Sequence, residues 1–225
     1  SLDNAKQKLA KVIRIFAVEK ASVLQQLKDE NNQVNRPDFI WHYLLQSFST
    51  MGRSAGWQGL IGTPENYSRI TFDVLEKLTP EQRKIQVHEV CRAAKIRMPD
   101  RKATFILGCF DRIQMLGGLS EAKSKLLSLP GAGKKKAYLM EFPGIGKKYA
   151  RNIMMDVYHE DFHNSIAIDV RIKAISTILG LSFTSYVEHE NFYLTVAESA
   201  GINGWEMDRI LYNWNDQIKQ QLLAF

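Results

Sequence analysis

Apolar residues recur along most of the chain at the three-and-four spacing of a single helix face. Leu9, Val12, Ile13 and Phe16 form one such face, and Ala103, Ile106, Leu107 and Phe110 another. Met207, Ile210, Leu211, Trp214, Ile218 and Leu222 carry the period to the end of the chain and predict a last helical segment there. Start signals agree with the period. Thr79-Pro80-Glu81-Gln82 is a capping box with proline at the first helical position. Pro37 predicts the opening of a helix through Trp41 to Phe48, and Pro99 that of the helix through Phe110. Alternation of Val, Ile and Thr between hairpin turns is scarce, and no repeat or low-complexity run is present. The pattern predicts an all-α fold of about ten or more short helices, joined by turns marked with Gly and Pro.

A length of 225 residues allows one globular unit or two small lobes with a good core. No secretory signal and no apolar run of membrane-spanning length is visible, so a soluble protein of the cytoplasm or nucleoid, or of a nucleus, is expected. Cys91 and Cys109 are the only cysteines and lie in no metal-like spacing; they read as reduced core residues. Net charge is +6 and the isoelectric point about 9.2, which fits a polyanionic partner without demanding one. The placement of the charge says more. Between Gly131 and Met155 stand Lys134, Lys135, Lys136, Lys147, Lys148 and Arg151, against the single acid Glu141.

Those cations surround the stretch "MEFPGIGKKYARNIMMDV", Met140 to Val157. Ala150, Ile153, Met154 and Val157 give the second half one buried helix face. A preceding helix is expected from about Lys134 to Glu141, so Pro143-Gly144-Ile145-Gly146 is the turn of a helical hairpin. Glycines there permit backbone conformations closed to other residues and let a phosphate approach closely. The N–H groups and positive dipole end of the second helix then face that phosphate. Ile145 is the expected apolar pin between the helices.

"FPGIGKKYARNI" resembles the helix-hairpin-helix of the DNA glycosylase superfamily named for that hairpin, its Gly/Pro-rich loop and a following aspartate. In "SIAIDVRIKAI", Asp169 stands twenty-one residues after Lys148, at the start of a helix, as the resemblance requires. More weakly, "WHYLLQSFSTMGRSA" is similar to the superfamily's early helix ending near the lesion. The resemblance implies two helical lobes, residues 37–158 and residues 1–36 with 159–225, and a lesion cleft between them. It implies damaged double-stranded DNA as partner, no membrane, no nucleotide cofactor and a monomer. Lys148 falls at the position that is lysine in superfamily enzymes cleaving both base and backbone. Pro143, Gly144, Ile145, Gly146, Lys147, Tyr149 and Arg151 are the implied DNA contacts, and the carbonyls of Phe142 and Ile145 the implied holders of a sodium or potassium ion. The chain lacks the cysteines of the iron–sulfur relatives, so no cluster is expected and the resemblance leans toward the 8-oxoguanine type.

The chemistry accounts for these residue types. Attack on the anomeric carbon needs a neutral amine, and an ordinary lysine costs about 4–5 kcal/mol to deprotonate at pH 7. A helix N-terminus, the adjacent Lys147 and burial are each expected to favour the neutral form, whereas DNA phosphate opposes it. Asp169, as a helix N-cap, would hold a carboxylate in a fixed direction to stabilise positive charge on the sugar or to assist proton transfer. A flipped base also needs a wedge and a pocket. Phe48 or Met51, with Gln46 nearby, are the wedge candidates, and Trp57, Phe110, Trp205 and Trp214 the candidates to stack on the base. Each of these is also readable as core or scaffold. Two other readings stay open: a monofunctional glycosylase for alkylated bases, and a non-catalytic hairpin module.

Other motifs carry less. "HEDFH", His159 to His163, matches the zinc-protease pattern H-E-x-x-H, but it runs into Asn164-Ser165, where the helix should end. Exposed histidines near DNA are expected there instead. "GAGKKK" and "GIGKK" lack the spacing and the preceding strand of a nucleotide-binding loop. Lys134 to Lys136 are expected to be a solvated helix start that adds phosphate contacts independent of sequence.

Overall fold

Every regular element among the described residues is helical, in the computed structural model, which describes residues 1–52 and 54–225. The chain starts with α1 (Leu2–Glu19) and α2 (Ala21–Glu30). There follow α3 (Phe39–Thr50), α4 (Ala55–Leu60), α5 (Pro64–Ser68), α6 (Phe72–Glu76), α7 (Pro80–Ala93) and α8 (Pro99–Met115). Next come α9 (Leu119–Ser128), α10 (Gly131–Met140) and α11 (Lys147–Asp156), then α12 (Val170–Ile178), α13 (Tyr186–Ser199), α14 (Gly204–Asn213) and α15 (Asn215–Leu223). They form two compact units, a central one of Gln33–Ile153 and a terminal one of Ser1–Asn32 with Met154–Phe225. No helix of the described residues is long and apolar enough to cross a membrane.

In the central unit the start signals act as the sequence predicts. Thr79 accepts from Gln82 N–H and the Gln82 side chain accepts from Thr79 N–H, closing the capping box of α7, and Pro99 opens α8. The core is aromatic. Phe110 of α8 stacks on Phe72 and meets the edge of Trp41, whose indole N–H donates to the Ile70 carbonyl at 2.9 Å. Phe110 is fully buried and covered by the Arg83 guanidinium, so it is no surface for a flipped base. Cys91 and Cys109 are both free and buried here.

The terminal unit joins both ends of the chain in one core. Leu9, Val12, Ile13 and Phe16 of α1 pack with Phe192 and Tyr193 of α13, Met207, Ile210 and Leu211 of α14, and Ile218 and Leu222 of α15. The continuous apolar period at the end of the sequence is interrupted. The chain breaks at Trp214, with φ −122° and ψ 32°, between α14 and α15. Asn215 then donates to the Arg171 carbonyl at 3.3 Å, and Trp214 packs on Phe16 under the Lys20 ammonium. The turn lets α15 reach α1 and α12, which a straight helix would pass by. Trp214 is thereby a corner of the core and not an open stacking surface.

Candidate active site

The hairpin loop belongs to the central unit and is seated on α3 and α8. Phe142 is buried, packed on Tyr138 and covered by the Arg112 guanidinium, which also pairs with Glu141. The Cys109 thiol donates to the Pro143 carbonyl at 3.4 Å, and a Cβ on Gly108 would come within 3.0 Å of the Pro143 ring. Gly144 has φ +84°, a conformation that side chains resist. A Cβ there would also lie 2.7 Å from both Phe48 and Phe105. Phe48 is fully buried and stacked on Phe105, so it is a seat for the loop, and its reading as a wedge is corrected. Phe105 carried no signal in the sequence, because it lies off the apolar face of α8.

Gly146 differs from Gly144. Nothing lies within 4 Å of where its Cβ would be. The loop thus presents one glycine locked into aromatic packing and another facing open space, immediately before α11. Lys147 and Lys148 are exposed in the first turn of that helix, and the Lys148 ammonium stands 5.5 Å from the centroid of the Tyr149 ring. Tyr149 is half-buried, and desolvation raises the pKa of its hydroxyl. The burial expected at Lys148 is absent, because only Ala150 and Ile153 on the other side of the helix turn inward at this end. The Ile145 side chain is buried too, so a phosphate could meet this residue only at its backbone. Arg151 is half-buried. In α10 the solvated run is interrupted: Lys135 is buried and donates to the Leu129 carbonyl, which leaves Lys134 exposed.

Of the remaining wedge and pocket candidates, Gln46 is half-buried and its carbonyl receives the Ser49 and Thr50 hydroxyls. Met51 is half-buried as the C-cap of α3, and Trp57 is 39% exposed. Arg53, between them, lies outside the described residues. Trp205, in the terminal unit, is fully buried with its indole N–H donating to the Met155 carbonyl at 2.7 Å. That makes it a core residue.

Asp169 lies in the terminal unit and caps α12. Its Oδ1 accepts from Arg171 N–H at 3.0 Å and Ile172 N–H at 3.1 Å. Its Oδ2 faces the Arg171 guanidinium at 3.8 Å, and that guanidinium is stacked 4.2 Å over the Tyr212 ring. One oxygen is thus committed to the helix and the other faces the Arg171 guanidinium, with the side chain 25% exposed. The helix it caps is anchored from below. Ser176 of α12 bonds His189 and Tyr193 of α13, each at 2.7 Å, and Tyr193 donates to the Ile172 carbonyl at 3.1 Å.

The "HEDFH" segment is one 3-10 turn, Glu160–Phe162, too short to align two histidines on a helix face. His159 Nδ1 accepts from Asp161 N–H at 3.0 Å, and His163 stacks 4.1 Å from Tyr158. Both histidines are half-buried structural residues, in place of the exposed ones expected.

Two solved structures share this fold. One is an 8-oxoguanine DNA glycosylase of Methanocaldococcus jannaschii, with a TM-score of 0.67 and 15% sequence identity over 95% of this chain and 96% of that one. The other is the 8-oxoguanine DNA glycosylase of Thermotoga maritima, with a TM-score of 0.63 and 15% identity over 94% and 96% of the two chains. No protein-family model and no curated protein matches the sequence. The likeness is therefore one of fold, spread over nearly the whole chain.

Proposed function

We propose that the chain is a DNA repair glycosylase of the helix-hairpin-helix superfamily that also cleaves the strand, with oxidised guanine in duplex DNA as its first-choice lesion. The observation that carries this reading is the fold shared, over 95% of the chain, with an 8-oxoguanine DNA glycosylase. Lys148 in the exposed first turn of the hairpin helix and Asp169 at a helix N-cap support it from the side of the chemistry.

In this reading the open space at Gly146 and the N–H groups of α11 receive a phosphate, with Lys147 beside it. The damaged nucleotide leaves the stack. The neutral Lys148 amine attacks the anomeric carbon, a C–N bond forms to the sugar, and the bond to the base breaks with its electron pair leaving on the base. Asp169, whose Oδ2 takes no part in capping the helix, stabilises the positive charge that develops on the sugar. A proton passes from the new ammonium nitrogen to the ring oxygen O4′, and the nitrogen lone pair then breaks the ring C–O bond to give a Schiff base with O4′ released as a hydroxyl. That makes the neighbouring C2′ proton acidic, and its removal expels the 3′ phosphate by β-elimination. The carbonyls of Phe142 and Ile145 would be the ones to hold a sodium or potassium ion; Phe142 O accepts Ile145 N–H at 3.1 Å and keeps a second lone pair. Such an ion would add positive charge beneath the phosphate.

Borohydride reduction in the presence of duplex carrying one lesion tests the reading. The expected result is a covalent complex that Lys148→Gln abolishes, with base release in Asp169→Asn falling far more than affinity. Base release without trapping would make Lys148 a phosphate contact. Duplex binding with neither would make the chain a non-catalytic hairpin module.

A further inference from the structure

Asp169 is delivered by residues 165–168, which belong to no regular element. Ser165 N–H donates to the Phe162 carbonyl at 3.2 Å, and the next three backbone donors are taken up by side chains. Ile166 N–H donates to Glu190 Oε2 at 2.9 Å and Ala167 N–H to Asp208 Oδ1 at 2.8 Å. Ile168 N–H donates to the Tyr186 hydroxyl at 3.4 Å, and that hydroxyl donates to the Ile166 carbonyl. Three successive peptide groups are thus gripped by Tyr186 and Glu190 of α13 and Asp208 of α14. The register of α14 is fixed a second time one turn earlier. Trp205 N–H donates to the His163 carbonyl at 2.9 Å, and a Cβ on Gly204 would come within 3.0 Å of Asn164 Cα.

We propose that Glu190, Tyr186 and Asp208 are positioning residues that form a side-chain cradle for the Asp169 segment, with buried Asp208 as its anchor. The inference rests on the repair-glycosylase reading and adds residues to it. Asp208 is 7% exposed, and a carboxylate so placed is costly unless it does something an apolar residue could not. Here it fixes the peptide two residues before Asp169, and Oδ2 is left facing Arg209 at 4.0 Å. Desolvation raises its carboxyl to about 6, against the pull of Arg209 and Ala167 N–H and with the push of Asp169 and Asp156. No sequence motif marks these three residues, because an acceptor for a backbone N–H needs no spacing.

The test is a double-mutant cycle under single-turnover conditions, with amide exchange read on the same proteins. A misplacement of about 1 Å can cost on the order of a hundredfold in rate. Asp208→Ala is expected to slow base release by about that factor with duplex affinity unchanged, and to speed exchange at the Ala167 amide. Asp208→Asn keeps an oxygen acceptor and should restore most of the rate. In an Asp169→Asn background, Asp208→Ala should cost nothing further. Losses that multiply would overturn the cradle, as would an Asp208→Asn variant as slow as Asp208→Ala. Should Asp208→Ala fail to fold, Glu190→Gln against Glu190→Ala carries the same comparison at the Ile166 amide. A wild-type protein that releases no base would sink the glycosylase reading itself; an active wild type that fails the cycle sinks only the cradle.

Discussion

Gly144 and Gly146 read alike in the sequence, as the two glycines of one phosphate-facing turn, yet the structure gives them opposite duties. Gly144 combines φ +84° with aromatic rings 2.7 Å from a would-be Cβ, so Gly144→Ala should destabilise the central unit by about 1–3 kcal/mol in thermal or urea unfolding. Gly146 meets nothing within 4 Å. Gly146→Ala should leave the melting temperature nearly unchanged and weaken duplex binding in a titration; an equal loss of stability would mean that the open space is not reserved for a ligand. The sequence showed that a turn was there, since Pro and Gly declare themselves. It could not show that Phe48, read as a wedge, is the seat beneath it, because burial is settled by residues far along the chain. Asp169 was legible for the opposite reason: an N-cap is a local device, written within four residues of its partners.

At the scale of elements, the starts of helices were more legible than their ends or their bends. Thr79 and Pro99 begin α7 and α8 where local chemistry says they should. The break at Trp214 is invisible to periodicity, because both halves bury the same face. Contacts between elements also carry the pH dependence. His42 of α3 bonds the Tyr67 hydroxyl of α5 at 2.7 Å, and burial, with Arg36 nearby, lowers its pKa from 6.5 to about 4, against Asp38. The unfolded chain therefore takes up this proton before the folded one does, so stability is lost as pH falls from about 6.5 to about 4. His42→Gln removes that response. Urea unfolding at pH 7.5 and 4.5 should show a smaller acid loss in the variant than in wild type, and equal losses would contradict the assignment.

For the molecule as a whole, charge and chain path matter most. Of the lysines clustered by the hairpin, Lys135 is spent inside the fold, which leaves Lys134 exposed on α10, and Lys147 and Lys148 exposed on α11. On the proposed reading, binding to duplex should weaken steeply with salt, and Lys134→Gln should reduce the slope of log affinity against log salt by about one. An unchanged slope would place Lys134 away from the phosphates. The path of the chain was the least legible feature, since nothing local in α1 announces that it closes a core with α13 to α15, which come much later in the sequence. The two thiols of that unit have a consequence of their own. Burial pushes Cys91 up to about 12 and Cys109 higher still. Peroxide and electrophiles attack the thiolate and not the thiol. Oxidants would therefore find no ready thiol in the folded protein, and sulfenic acids or mixed disulfides would form only on chains whose central unit had already opened.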